Sequence, residues 1–113
     1  MKQFVYILTD SNRNNLHVGL THDLKYTMNY YKDMYSLFFD SHKKASRLVY
    51  FEEVFSTNNA LERFKIISEY TRSQKERIIR LNNANWIDLS LQSNFEFGEL
   101  NALSNYHKQA FAS

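Results

Sequence analysis

Apolar side chains near the start of the chain fall into two short runs that are separated by polar residues. β-Forming residues fill positions 3–8, and a second apolar run covers positions 16–20. The six residues between 10 and 15 are Asp, Ser, Asn, Arg, Asn and Asn, which tolerate turn geometry. The pattern predicts a β-hairpin at the beginning of the chain.

The spacing of apolar residues then changes from that of a strand to that of a helix. Leu24, Met28 and Tyr31 recur on one helical face. Asp23 suits the first turn, where a carboxylate interacts favourably with the helix dipole. We expect this helix to open at residue 21 or 22 and to end at about residue 35.

A third strand and a second helix follow. Residues 47–54 form an apolar run that is typical of a strand. Ser56 begins a group of capping residues, after which helical spacing resumes. The residues expected on the inward face of this helix are Ala60, Leu61, Phe64 and Ile67.

The last part of the chain predicts two more helices. Ser73 and Glu76 have the spacing of a capping box, and the expected buried residues behind them are Ile78, Ile79 and Leu81. Weak periodicity after residue 94 predicts a helix over residues 99–109. The predicted order is therefore β-β-α-β-α-α plus a C-terminal helix.

Composition limits the class of protein. With 113 residues, of which 43% are hydrophobic, the chain suits one compact domain with a modest core. It contains no apolar run long enough for a membrane span, and its start lacks the apolar stretch of a signal peptide, so we expect a cytoplasmic protein with no membrane partner. The absence of Cys excludes disulfides and thiolate metal sites.

The formal charge of +2 permits nucleic-acid binding without identifying it. Basic residues fall into two groups. The candidate nucleic-acid-binding residues are Lys43, Lys44 and Arg47 in the first group and Arg63, Lys65 and Arg72 in the second. Glutamates interleave with the second group, so a solvated helix face laced with ion pairs is the competing interpretation, and the favoured one, for those three residues.

Short motifs along residues 3–91 resemble the GIY-YIG nuclease superfamily, in particular its small single-domain bacterial branch. They are the two hairpin runs at 4–8 and 16–20, the Gly-x-Thr-x-Asp-Leu of residues 19–24, the strand at 48–53, the Ala-Leu pair at 60–61, and the Asn-x-x-Trp-x-Asp-Leu of residues 83–89. The resemblance implies an α+β fold with a three-stranded antiparallel sheet flanked by helices. We expect a GIY-YIG-like domain over residues 1–91 and an extension over residues 92–113 packed on it.

The family's catalytic residues can be placed on this sequence one by one. GIY-YIG nucleases use two strand tyrosines, an arginine on the first helix and a glutamate on the next, which binds a divalent ion such as magnesium. Tyr6 matches the first tyrosine, and His17 stands in place of the second. Thr27 falls at the arginine position and Phe64 at the glutamate position, while Tyr31 replaces a histidine that often follows on the first helix. Tyr6 also fits a buried strand aromatic, and His17 an exposed strand residue.

These replacements remove two groups that hydrolysis needs. Thr27 has no charge to offset that of a phosphate, and no Arg lies between residues 14 and 46 to replace it in another register. Phe64 cannot ligate a hard cation. We therefore predict a remnant site around Tyr6 and His17, with no metal or cofactor, and with magnesium only if nuclease activity survives.

Three functions remain open at this stage. The favoured one is a GIY-YIG-fold module that has lost endonuclease activity and binds DNA or RNA. The first alternative is a protein-interaction or homo-oligomeric module, for example a homodimer, that uses the aromatic segment 34–39 or the C-terminal tail as its apolar surface. The second is an active metal-dependent DNA endonuclease with a rearranged site that combines Tyr6, His17 and a relocated carboxylate.

Overall fold

The computed structural model describes the backbone of residues 2–38 and 47–92, together with the side chains of these ranges outside residues 33–38. Its elements are β1 (Gln3–Thr9), β2 (Leu16–Thr21), α1 (Leu24–Phe38), β3 (Arg47–Val54), α2 (Thr57–Ser68), α3 (Arg72–Asn82) and a short 3₁₀ helix (Leu89–Leu91). The predicted order β-β-α-β-α-α is confirmed. The predicted C-terminal helix and the segment 39–46 lie outside the described residues.

The three strands form one antiparallel sheet in the order β2-β1-β3, with β1 at its centre. Tyr6 of β1 lies opposite Gly19 of β2 and Phe51 of β3. The register with β3 shifts between Ile7 and Leu8. An α+β fold with a three-stranded antiparallel sheet is thus confirmed.

The sheet separates two hydrophobic clusters. Successive side chains of a strand point to opposite faces, so Phe4, Tyr6 and Leu8 share one face, where they pack with Leu24 and Met28 of α1. We call this the α1 face.

The alternate residues of β1 occupy the opposite face. Val5 and Ile7 pack there with Ile67 of α2, Ile79 of α3 and Trp86, all nearly inaccessible to solvent. We call this the α2–α3 face. Within the described ranges, every helix is too short or too polar to cross a lipid bilayer.

The hairpin turn is organised around the buried carboxylate of Asp10. Its oxygens accept hydrogen bonds from the backbone N–H groups of Asn12, Asn14 and Asn15 and from the Asn15 side-chain amide, at 2.9 to 3.1 Å. Burial alone would raise the pKa of Asp10, but these hydrogen bonds favour the ionised form and together lower its pKa. The turn therefore has a fixed shape.

Helix starts differ in detail from the prediction. Asp23 precedes α1 and accepts the Tyr26 N–H at 3.0 Å, so α1 begins at Leu24 while Thr21 still belongs to β2. Ser56 caps α2, as predicted. The predicted capping box of α3 is wrong: Thr71 and Gln74 form it, two residues earlier than Ser73 and Glu76.

The prediction that two leucines are buried is also wrong. Leu61 is 51% exposed and Leu81 is 61% exposed. Each lies on the flank of a helix whose neighbours Ala60, Ile67 and Ile79 make the contact with the sheet. A narrow sheet of three strands covers only part of each helix, which leaves these leucines in solvent.

The outer edge of β3 is covered by the segment that follows α3. The side-chain amide of Asn83 donates to the Val49 carbonyl at 3.1 Å, and Asp88 accepts the Leu48 N–H at 3.1 Å. Lys32 of α1 also reaches Asp88, at 3.2 Å. Asn83 and Asp88 thus serve the fold by satisfying backbone groups of an edge strand.

Candidate functional site

The candidate site is built around Tyr6 at the centre of the sheet. Its ring lies over Gly19, the residue opposite on β2, and only 4% of Tyr6 is exposed. A β-carbon on residue 19 would lie 2.1 Å from Cζ of Tyr6, far inside van der Waals contact. Glycine at position 19 is therefore required for the tyrosine ring to occupy this position.

His17 lies on the same face as Tyr6, because it is two positions from Gly19, the residue opposite Tyr6, and alternate residues of a strand share a face. Its Nε2 is 3.0 Å from the hydroxyl oxygen of Tyr31, which α1 supplies. The ring centroids of Tyr6 and His17 are 6.5 Å apart, and those of His17 and Tyr31 are 5.7 Å apart. Two predicted site residues and Tyr31 thus form one cluster, which we call the tyrosine–histidine cluster.

The protonation of this cluster follows from its surroundings. Burial, followed by the hydrogen bond and electrostatic interaction with Tyr31, raises the pKa of Tyr6, so its phenol stays protonated at neutral pH. Partial burial lowers the pKa of His17, so its imidazole is neutral there. A neutral imidazole has one donor and one acceptor nitrogen. The cluster can therefore exchange hydrogen bonds with a ligand, but it carries no positive charge to bind a phosphate.

Thr27 lies on α1 beside the end of β2. Its hydroxyl donates to Oγ1 of Thr21 at 2.8 Å, so it ties the first turn of the helix to the strand. Where the resemblance places an arginine, the structure has a short neutral side chain that is already hydrogen-bonded. The neighbouring Lys25 is exposed on another side of the helix.

Phe64 lies on the other side of the sheet from Tyr6. It is partly buried and packs against the cluster of the α2–α3 face, as Val18 and Leu20 of β2 also do. With Leu61, Glu62 and Lys65 it also lines an open groove of about 590 Å³. The structure therefore does not bring Phe64 together with the tyrosine–histidine cluster.

The candidate basic residues occupy different environments. Arg47 and Lys65 are exposed. Arg63 is held by Glu52, whose carboxylate it contacts through Nη2 at 2.8 Å and Nε at 3.1 Å. Arg72 donates to the backbone carbonyls of Arg13 and Asn14 in the hairpin turn. Lys43 and Lys44 lie outside the described residues.

A magnesium ion does not fit the groups around Tyr6. Among the side chains that the structure describes, no set of three or more His, Asp or Glu residues is placed to hold a metal ion. At the position where the resemblance places a carboxylate, Phe64 has no oxygen to offer. We assign no chemical step to a metal.

Sequence reasoning missed the role of Tyr31 as a partner of His17. The signal was present, since Tyr31 shares a helix face with Leu24 and Met28 and falls where the resemblance expects a histidine. The sequence did not predict the distance between Tyr31 and His17, because that distance depends on how α1 crosses β2.

A comparison with solved structures finds a protein of the same architecture. The solution structure of the UPF0213 protein BH0048 from Bacillus halodurans matches with a TM-score of 0.51 over 81% of this chain and 98% of that one, at 19% sequence identity. The chain shares the fold of that protein. No protein-family model matches the sequence, and no curated protein matches it. At this identity the similarity concerns the fold alone.

Proposed function

We propose that this chain is a GIY-YIG-type domain that binds nucleic acid and has lost endonuclease activity. The observation that carries the proposal is the tyrosine–histidine cluster. It retains Tyr6 packed on Gly19 at the family's strand positions, while Thr27 and Phe64 stand where the family has its cation and its metal ligand. The order of the sequence motifs and the shared UPF0213 fold support the assignment to this superfamily.

Loss of cleavage follows from the chemistry that is missing. Phosphodiester hydrolysis needs a group that accepts a proton from water, a cation near the phosphoryl oxygens, and usually a bound metal. His17 is the one group of the cluster suited to accept a proton. Removal of a single electrostatic stabiliser costs on the order of 100- to 1000-fold in rate. With both the arginine and the metal ligand replaced, we expect no measurable turnover.

Polar and basic side chains that are exposed on the surface support the proposal of nucleic-acid binding. The imidazole of His17 and the hydroxyls beside it can hydrogen-bond to sugars and phosphates, and the exposed Arg47 and Lys65 can contact a phosphate backbone. Arg63 and Arg72 make intrachain contacts with Glu52 and with the hairpin turn. We therefore assign the electrostatic part of binding to Arg47 and Lys65 among the described candidates.

The experiment is a fluorescence-polarization titration of labelled DNA and RNA oligonucleotides between about 50 and 200 mM salt. We expect affinity to fall as salt rises, because phosphate contacts release counterions. Replacing Arg47 or Lys65 by Gln should reduce the slope of log affinity against log salt by about one unit or less. Lys2→Gln, at a lysine paired with Glu53, is the matched control and should leave the slope unchanged. No salt-dependent binding at micromolar protein would refute the proposal.

Loss of activity is tested separately. Supercoiled and branched DNA are incubated with the protein and magnesium or manganese, beside the Tyr6→Phe variant. The expected result is the same absence of cleavage in both samples. Cleavage by the natural sequence that Tyr6→Phe abolishes would identify an active nuclease instead.

A second candidate function is protein interaction, favoured by the groove along α2. Leu61, which lines it, is 51% exposed, and Phe64 beside it is partly buried. Sedimentation over a wide concentration range, with Leu61→Glu as the comparison, tests whether this surface joins two copies. A monomer at all concentrations would exclude self-association through the groove.

A further inference from the structure

The two edges of the sheet differ in how they are covered. At the edge formed by β3, Asn83 and Asp88 bond backbone groups of the strand. At the opposite edge, β2 pairs with β1 alone among the strands that the structure describes. The sequence of β2 contains no Pro, Lys, Arg, Asp or Glu, the residue types that commonly protect an open edge from pairing. β2 therefore presents an edge on which another strand can pair.

The apolar side chains of β2 on the α2–α3 face are only partly covered. Leu16, Val18 and Leu20 pack against the hydrophobic cluster of that face, yet each remains partly accessible to solvent. Removal of apolar surface from water stabilises an association roughly in proportion to its area. A strand paired with β2 would bring further side chains beside these three. The open edge thus combines unpaired backbone groups with apolar side chains.

The groove along α2 opens toward the same edge of the sheet. Arg63 lies on the flank of α2 that is directed toward β3, where it contacts Glu52. Leu61 is two residues away, about 200° around the helix, and so lies on the opposite flank, toward β2. Phe64, which lines the groove with Leu61, packs against the same cluster as the side chains of β2. The groove therefore adjoins the open edge of β2.

A second copy of the chain fits this surface in one arrangement. Antiparallel pairing of β2 with β2 of another copy places a two-fold axis perpendicular to the sheet, so that both α2 helices lie on the same face. Within each copy, α2 packs mainly over β1 and β2. The axes of the two helices are then about two strand spacings, or about 10 Å, apart, which is the distance between packed helices. Each α2 can thus cover the groove of the other.

The charges at the groove match a second copy better than a partner of one charge sign. Glu62 and Lys65 line the groove and are exposed, and neither forms a salt bridge with another residue that the structure describes. An anionic partner would face Glu62, and a cationic partner would face Lys65. In two antiparallel helices, Glu62 of each copy can face Lys65 of the other, which is the reciprocity of an isologous interface.

We propose that two copies of this chain associate through antiparallel pairing of β2 with β2 and packing of α2 against α2. The interface joins the two sheets into one and covers the strand edge and the groove together. It gives the second candidate function, protein interaction, a partner and a geometry. The inference goes beyond nucleic-acid binding and does not depend on it, so either can fail while the other stands.

Sedimentation equilibrium of the full chain tests the association. Nucleic acid is left out, because Lys65 is also a candidate for phosphate contact. We expect a monomer–dimer equilibrium, which Leu61→Glu should weaken by on the order of 100-fold because an isologous interface loses the leucine twice. Thermal unfolding verifies that the variant remains folded, as expected for an exposed position. A natural chain that stays monomeric at all concentrations would overturn the proposal.

Leu81→Glu is the matched control. Leu81 is 61% exposed and lies on α3, which packs on β3 rather than beside the open edge. This variant should leave the association unchanged. Weakening by Leu81→Glu equal to that by Leu61→Glu would overturn the assignment of the interface to α2.

Charge exchange tests the reciprocal contact between the two helices. Glu62→Lys and Lys65→Glu should each weaken the dimer about 2- to 30-fold, because like charges then face each other at two places. The double variant Glu62→Lys/Lys65→Glu should restore most of the affinity. If the double variant is as weak as the single ones, the packing of α2 against α2 is wrong.

Hydrogen exchange of backbone amides separates strand pairing from helix contact alone. Residues 16–21 should exchange more slowly in the natural chain, at concentrations where the dimer dominates, than in monomeric Leu61→Glu. Equal exchange in the two samples would overturn the pairing of β2. Slow exchange of this strand in a natural chain that is monomeric would also overturn the proposal and would indicate another occupant of the edge, such as residues 93–113.

Discussion

The two faces of the sheet each carry a polar group that contains tyrosine, but the two groups differ in their contacts. On the α2–α3 face, Tyr50, Glu52 and Arg63 form a group joined by hydrogen bonds. The Tyr50 hydroxyl donates to Glu52 at 3.2 Å, and Arg63 donates to the same carboxylate at 2.8 Å. On the α1 face, Tyr6 and His17 meet Tyr31 at the solvent boundary. In the first group the charged side chains are paired with each other, whereas in the second the exposed His17 can contact a ligand.

This contrast explains why residue type alone is a poor guide to function here. Arg63 and Glu52 are both charged, yet they pair with each other between α2 and β3. Burial, with the nearby Glu52, raises the pKa of Tyr50, so this tyrosine also stays protonated. We infer that the group of Tyr50, Glu52 and Arg63 stabilises the fold, and that on the α1 face His17 can contact a ligand.

The largest expected effect comes from removing the cation of the group formed by Tyr50, Glu52 and Arg63. Arg63→Met leaves the Glu52 carboxylate, which is 8% exposed, without its cation. We expect a loss of about 3 kcal/mol in the free energy of unfolding, at the low end for a broken buried pair because Arg63 is partly exposed. Urea denaturation measures it.

The control for this effect is the double variant Glu52→Gln/Arg63→Met, which removes both charges. It should recover a large part of the lost stability, because no uncompensated buried charge remains. Equal destabilisation by the single and the double variant would mean that packing, not charge, dominates on this face.

An intermediate effect is expected from Gly19→Ala on the α1 face. The new methyl group collides with the ring of Tyr6, which must move within a packed environment, at a cost of about 2 kcal/mol. In a Tyr6→Val background the same substitution should cost much less, because the ring is gone. Additive effects of the two substitutions would contradict the described contact.

A smaller effect is expected when Tyr31→Phe removes the hydroxyl that contacts His17. Loss of this hydrogen bond should cost about 1 kcal/mol of unfolding free energy, measured by urea denaturation. In a His17→Gln background the same substitution should cost less, because the partner of the hydroxyl is gone. Equal costs in the two backgrounds would contradict the contact.

The smallest effect concerns the pH dependence of His17. Its folded pKa lies below the ordinary value of 6.5, so the unfolded chain binds the proton more readily as pH falls through that value. The stability that His17 contributes is therefore complete above about pH 6.5 and is lost below it. The difference in stability between the natural sequence and His17→Gln should shrink on acidification, and a difference that grew would contradict the lowered pKa of His17.

The sequence was sufficient for the elements of the fold because each has a strong local signal. The apolar run at 47–54 matches β3 in full, and the polar residues 10–15 lie between β1 and β2. The cap of α3 was placed wrongly because Thr71 with Gln74 and Ser73 with Glu76 fit similar motifs. Local chemistry did not distinguish them.

The candidate site was only partly accessible from the sequence, because its contacts join distant segments. The pairing of Arg63 with Glu52 and of Arg72 with the hairpin turn depends on helix orientation. So does the contact of Tyr31 with His17 across 14 positions. Tyr6 and Gly19 were identified through the resemblance, and the register of β1 with β2 explains why they belong together.

The central proposal is that this chain binds nucleic acid without cutting it. The most direct test follows the polarization of an end-labelled single strand over time in magnesium buffer after protein is added. The account predicts a rise that becomes smaller at higher salt and then stays constant. Absence of a rise would contradict binding, and a rise followed by a decay that the Tyr6→Phe variant does not show would contradict the loss of nuclease activity.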